Sequence, residues 1–156
     1  MFRDEYTVNG RVFMFSQMDA LHDTFKGIDY LLAPAAGVGY KVIDTKRTSF
    51  NVDAGVGGVV ERDTGSPTHG NGALTISEKI VHQLSDTTTL REAAASLLKM
   101  NDVPDGLYTV QVGVAARVNS RLQLSVDLLD TFKNHPVEGL THKNDLALVT
   151  SVVAKY

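Results

Sequence analysis

Charged residues of both signs recur within segments of this 156-residue chain that otherwise show the alternating pattern of β-strands. An acid beside a base could serve general acid–base catalysis, whereas opposite charges held together away from water neutralise one another and hold a fold together. Both signs fall mainly on the polar phase of the strands, which favours the second role. We predict that the following charges line the interior of a barrel: Lys41, Asp53, Glu92, Arg117, Asp127, Asp145 and Lys155.

Other residues that could carry chemistry lack the spacing that a reaction would need. The pairs Gly37/Gly39 and Gly55/Gly57 are not followed by a helical segment, as a phosphate-binding loop would be, and no Gly-x-Ser-x-Gly nucleophile motif occurs. The histidines show no short, fixed spacing of metal ligands. They are His22, His69, His82, His135 and His142. We therefore expect no catalytic residue, no cofactor and no metal, and a protein that is not an enzyme.

Composition limits the function classes further. The 15 basic and 18 acidic residues give a net charge of −3, which provides no basic surface for nucleic acid. The absence of cysteine excludes disulfides and thiolate sites. No stretch approaches the ~20 apolar residues of a membrane-spanning helix. The first residues lack the apolar core of a secretory signal, so we expect any exported form to have lost its signal. The length fits one domain over residues 1–156.

The elements that must position the charges are strands. Segments with period-two alternation are separated by turns rich in Gly, Asn, Asp and Pro, which predicts an all-β fold. We expect an antiparallel up-and-down transmembrane β-barrel of about eight strands. The predicted strands cover residues 8–21, 30–43, 48–61, 73–84, 89–98, 108–117, 122–132 and 143–156.

Apolar residues form continuous rows on one face of several of these strands. Each row faces away from polar neighbours one residue along, because successive side chains in a strand point to opposite sides. In a narrow membrane barrel the polar face fills the interior and the apolar face contacts lipid. The residues predicted to face lipid are Phe50, Val52, Val110, Val112, Val114, Leu122, Leu124, Val126, Leu128, Leu146 and Leu148.

The predicted connections alternate in length. Those at residues 22–29, 62–72, 99–107 and 133–142 are long, whereas those at 44–47, 85–88 and 118–121 have four residues each. In an up-and-down meander the two sets lie at opposite ends. Outer-membrane barrels have this asymmetry, with short periplasmic turns and longer external loops.

Two segments stay open from the sequence alone. Residues 88–100 contain a capping-box spacing, Thr89 to Glu92, followed by strong helix formers, so the segment could be a helix in an α+β domain. We predict a strand there, because the meander spacing requires one. In residues 73–84 either Glu78 or Lys79 would face the lipid, and the pattern does not decide between them.

The stretch 36–58, AGVGYKVIDTKRTSFNVDAGVGG, together with Ile76-Ser-Glu, Gln83-Leu-Ser-Asp-Thr-Thr and the aromatic last residue, carries a family resemblance. From about Gly27 to Tyr156 the chain resembles the family described as salt-induced outer membrane proteins of Gram-negative bacteria, a domain of unknown function. The resemblance implies an exported β-barrel and no particular reaction. Members of that family are longer at the N-terminus, so the resemblance leaves open whether eight strands close the barrel.

The sequence thus favours a non-enzymatic envelope protein of the bacterial outer membrane. Its expected role is structural, ligand binding at the external loops, or leakage of small solutes. The expected partner is outer-membrane lipid, with no nucleic acid; self-association stays open and the ligand is not named. The alternative is a soluble, lipocalin-like barrel that carries a small apolar ligand and would need an apolar interior.

Overall fold

The computed structural model describes residues 2–24, 28–134 and 144–154, and within them the chain forms nine strands. In chain order they are β1 Phe2–Thr7, β2 Val12–Asp23, β3 Ile28–Asp44, β4 Thr48–Asp63, β5 His69–Gln83, β6 Thr88–Lys99, β7 Asp102–Arg117, β8 Leu122–Lys133 and β9 Asn144–Ala154. Eight of these correspond to the predicted segments, and β1 is additional.

All nine strands belong to one sheet in the order β1 to β9, each antiparallel to the next. The predicted class, an all-β antiparallel up-and-down arrangement, is confirmed. Among the described residues β1 pairs only with β2 and β9 only with β8, so the sheet is not closed. Because nine strands alternate in direction, β1 and β9 run the same way, and a direct pair between them would be parallel.

The sheet curls towards one face, here called the inner face. Side chains of strands that are not neighbours meet there: Arg3 of β1 bonds Asp53 of β4, and Lys99 of β6 bonds Glu61 of β4. Strands two or three apart can exchange side-chain hydrogen bonds only if the sheet bends around that side. Along most of the strands the odd-numbered residues occupy the inner face and the even-numbered ones the outer face. Two register shifts in β3 change this: Ile28 lies inward, and Ile43 is in register with the outer-face residue Phe50.

Glycines on the inner face leave room for large side chains. A Cβ at Gly39 would collide with the ring of Phe13, and one at Gly55 would lie 2.8 Å from the ring of Phe15. Both rings are buried, at 1% and 4% exposure. The sequence disfavours a phosphate-binding loop at these glycines, and the structure gives Gly39 and Gly55 the role of making room for the two aromatic rings.

The segment at residues 88–100 is a strand, as predicted. It pairs along its length with β5 and β7 and forms no helix. The phase of the segment at 73–84 is also fixed: Glu78, opposite Val52 and Ala94, lies on the outer face, and Lys79 lies on the inner face.

The predicted difference in loop length is smaller than expected. Strands β4, β5 and β7 extend into the segments assigned to loops, leaving residues 64–68 and 100–101 as short connections. Of the stretch after Lys133, residues 135–143 lie outside the described part. At the opposite end, Asn9 and Asn119 each accept two backbone N–H groups with their side-chain oxygen at 2.8–3.0 Å, which stabilises tight turns.

Candidate functional site

The outer face carries the apolar rows. All eleven residues predicted to face lipid lie on it, and they do not pack together in a core. Val114 is 41% exposed, Val126 49% and Leu148 68%, while Phe50 and Val52 are half-buried. Further outer-face residues such as Val38, Val56 and Val152 extend the same surface. A contiguous apolar surface of this extent marks a contact with another apolar medium or partner.

Acidic residues interrupt the outer face at a few points. The predicted inward position of Glu92 is corrected: it is in register with Ile80 and Val112, both on the outer face. Its neighbour Arg91 occupies the inner face instead. Asp130 lies between Val110 and Leu146, and its Oδ1 is buried without a hydrogen-bond partner in the described part of the chain.

A first cluster of charges on the inner face is organised around Arg3. Its guanidinium bonds Asp53 at 2.7 Å and the side-chain oxygen of Gln17 at 2.9 Å, and it lies 4.0 Å from the centre of the Phe15 ring. Ser77 donates a further hydrogen bond of 2.6 Å to Asp53. The predicted interior charge Asp53 is thus neutralised by a residue of β1.

A second cluster contains the predicted interior charge Asp127. Both of its oxygens accept hydrogen bonds from Arg91, at 3.1 and 3.2 Å, and Gln111 donates a further one at 3.2 Å. The side chain of Asp127 is 9% exposed and that of Arg91 40%. A Cβ at Gly113 would collide with Asp127 Oδ1, so this glycine provides the space for the carboxylate.

A third cluster closes one end of the inner face. Lys99 and Glu61 form an ion pair in which both side chains are less than 10% exposed, at 9% and 7%. Lys133, 4% exposed, borders the same small space. Next to it lies the buried apolar cluster, formed by Ile28, Leu31, Ala33, Val59 and Ala73. This end of the inner face is therefore filled.

The other predicted interior charges lie outside the three clusters. Lys41, in register with Asn51, lies on the inner face near the end of its strand. Arg117 donates to the backbone oxygen of Asp86 in the turn at 84–87 at 2.7 Å. Asp145 faces inward opposite Thr131 and is exposed. Lys155 lies outside the described residues.

Between the first cluster and the apolar cluster the inner face lines a partly open cavity of about 340 Å³. Its wall comes from seven strands, β1, β2, β3, β5, β6, β7 and β8. Sequence reasoning missed Arg3, Gln17, Glu61, Arg91, Lys99, Gln111 and Lys133 as interior residues. The signal that could have found them is parity, because all of them share odd numbers with Asp53 and Asp127.

The histidines do not converge. His22 lies near the backbone oxygen of Asp29, and His82 contacts the hydroxyl of Thr48. Within the residues that the structure describes, no group of three His, Cys, Asp or Glu side chains could hold a metal ion. His135 and His142 lie outside those residues.

In the turn at 8–11, a hydrogen bond to Tyr40 raises the pKa of Arg11, which leaves the guanidinium charged.

No helix in the described ranges is long and apolar enough to cross a membrane. The fold and its two faces define an antiparallel β-meander with paired charges inside and apolar side chains outside. The model of the family described as "Protein of unknown function, DUF481" matches residues 2–156, and the chain belongs to this family. We found no match among curated proteins and none among solved structures. The family description gives no activity, ligand or location.

Proposed function

We propose that the chain is a β-barrel protein of the bacterial outer membrane with a structural role in the envelope. The observation that supports this most directly is the inverted distribution of polarity. Asp127 and Lys133 are buried while Val126 and Leu128, on the other face of the same strand, are 49% and 45% exposed. Membrane barrels have an apolar outer band and a polar interior.

The exposed rows would be costly in water. Burying apolar surface is favourable by roughly 25 cal/mol per Å², and the outer face leaves this free energy unused unless something apolar covers it. Lipid hydrocarbon covers such a face uniformly around a curved sheet. The resemblance to outer membrane proteins supports the same location.

The membrane location requires that the sheet edges be paired. Unpaired backbone N–H and C=O groups are not tolerated in hydrocarbon. Since β1 and β9 run in the same direction, closure takes either a parallel seam between them or an odd number of further antiparallel strands. Either arrangement keeps the inner and outer faces described above.

The interior supports a structural role over an open pore. The Glu61–Lys99 pair, Lys133 and the apolar cluster fill one end, so the cavity of about 340 Å³ beside them is not an open channel at that end. Leakage of small solutes is accordingly a minor role in this proposal. Six of the inner charges form the ion pairs Arg3–Asp53, Arg91–Asp127 and Lys99–Glu61, so we assign these to stability and propose no reaction.

One observation favours a second candidate, a soluble carrier of a small ligand. The inner face is not purely polar, because Ile28, Leu31 and Val59 are buried there beside the cavity. A lipocalin-like barrel has an apolar interior of this kind. It would also have a polar outer face, which this chain lacks along β7 and β8.

Fractionation of bacterial cells that produce the protein with an export signal distinguishes the two candidates. The membrane proposal expects the protein in the outer-membrane fraction, resistant to carbonate and urea extraction and soluble only with detergent. It also expects a shift in gel mobility on boiling, as the folded barrel opens. Recovery in the aqueous periplasmic fraction as a monomer that needs no detergent would overturn the membrane proposal and favour the carrier.

A further inference from the structure

The cavity of about 340 Å³ on the inner face has no role in the structural proposal. Ligand pockets usually measure ~300–1,000 Å³, and an apolar cavity of about 150 Å³ already holds benzene. The space is therefore large enough for a small organic molecule.

One side of the cavity is apolar. Leu21 is in register with Leu31, and Leu97 with Leu107, so four leucines form a layer on the side of the apolar cluster. Leu21 and Leu97 also pack against that cluster. Water finds no hydrogen-bond partner on such a wall, whereas an alkyl chain would bury apolar area against it.

Next to the leucine layer, polar side chains line the cavity but offer no free positive charge. Thr109 and Thr131 are in register on neighbouring strands, and in the described part of the chain their hydroxyls form no hydrogen bond with other residues. Arg3 is already held by Asp53 and Glu5. Asp19, which accepts a hydrogen bond from Gln17, adds a negative charge. An anionic group would meet repulsion there, and an uncharged donor or acceptor would find partners.

We propose that this cavity binds a single-chain amphiphile with an uncharged, hydrogen-bonding head, such as an alkyl alcohol. The alkyl chain lies against Leu21, Leu31, Leu97 and Leu107, and the head bonds the hydroxyls of Thr109 and Thr131. The proposal concerns the inner face alone and is independent of what covers the outer face, so its failure would leave the membrane proposal standing.

The test uses the absence of tryptophan from the chain. Leu129→Trp places one fluorophore at the cavity wall, and Leu128→Trp places one on the outer face. Both variants of the 156-residue chain are folded in vesicles of diacyl phosphatidylcholine, whose two-chain zwitterionic lipid lies outside the proposed ligand class. They are titrated with ω-bromooctanol, whose bromine quenches tryptophan. The expected result is saturable quenching for Leu129→Trp and only linear quenching, from partition into the bilayer, for Leu128→Trp.

Paired variants in the Leu129→Trp background locate the binding. Ala95→Phe fills the cavity and should abolish saturation, whereas Ala94→Phe, on the outer face, should leave it unchanged. If Ala95→Phe does not fold, the isosteric pair Thr109→Val and Thr131→Val should weaken binding about three- to tenfold, the value of a hydrogen bond. ω-Bromooctanoate should bind at least about tenfold more weakly than the alcohol.

Three results would overturn the proposal. They are linear quenching of the folded Leu129→Trp variant, unchanged affinity in the folded Ala95→Phe and double valine variants, and ω-bromooctanoate binding as tight as that of the alcohol.

Discussion

The two faces of β8 differ in which side chains they bury. Ser125 and Asp127, on the inner face, are 8% and 6% exposed, whereas Val126 and Leu128, on the outer face, are 49% and 45% exposed. In soluble proteins Val and Leu are among the residues most often buried, and Asp is almost never buried without a partner. Burial in this sheet therefore follows the direction of curvature and not polarity. We propose an apolar medium around the outer face as the reason for this difference.

The largest expected effect comes from the inner face, at the Glu61–Lys99 pair. Glu61→Ala leaves the buried Lys99 without this carboxylate, and removing one member of a buried pair typically costs about 3–5 kcal/mol of unfolding free energy. Urea unfolding in detergent measures the loss. Asp86→Ala, in an exposed turn, serves as the control and should change stability by less than about 0.5 kcal/mol. A loss for Glu61→Ala no larger than for the control would show that the inner face is not a dry interior.

The next effect concerns the outer face. Val126→Lys should destabilise the protein in a bilayer by ~2–4 kcal/mol, the cost of a lysine at mid-depth on the lipid side of a barrel. Val118→Lys, in the turn at 118–121, should cost no more than ~1 kcal/mol. The two are compared by urea titration in phospholipid vesicles. Equal costs at the two positions would break the contrast between the faces.

A smaller effect tests the space made for Asp127. Gly113→Ala adds a methyl group where the carboxylate lies, so the bonds from Arg91 and Gln111 must shift. Overpacking of this kind costs about 1–3 kcal/mol. Gly70→Ala, where a Cβ would be 4.0 Å from the nearest atom, is the matched control. Thermal or urea midpoints that coincide for the two variants would contradict the role given to Gly113.

The smallest effect has the opposite sign. Glu92→Leu removes an acid from the apolar outer face, and it should stabilise the protein in a bilayer by less than about 2 kcal/mol, because acids cost less there than lysine. The same change at Asp86, in the turn, should have no effect. A clear loss of stability for Glu92→Leu would mean that the carboxylate has a polar partner outside the sheet.

The strand pattern could be predicted where alternation is strict. In residues 122–128 of β8 and 108–114 of β7, apolar residues alternate with polar residues or glycine, so both the strand and its faces follow from the sequence. The strand at 88–100 required an argument from spacing, because its residues favour a helix when taken alone.

Other features could not be predicted because their cause is not local. β1 contains Arg3, Asp4 and Glu5 in succession, which hides its alternation, and Arg3 meets its partner Asp53 fifty residues away. Glu92 was predicted on the wrong face of its strand because the alanines that follow it fit either face and do not show which side is polar. The cavity depends on side chains from seven strands, and no single segment indicates it.

The central claim is that the outer face contacts lipid. The chain has no cysteine, so each position from 122 to 132 can be replaced in turn by cysteine and carry a nitroxide label in phospholipid bilayers. Collisions with oxygen, which dissolves in hydrocarbon, and with a water-soluble nickel chelate report the surroundings of each label. We expect oxygen accessibility to peak at Leu124, Val126 and Leu128 and to fall at Ser125 and Asp127. Nickel accessibility that peaks at those same three positions would place the outer face in water and contradict the account.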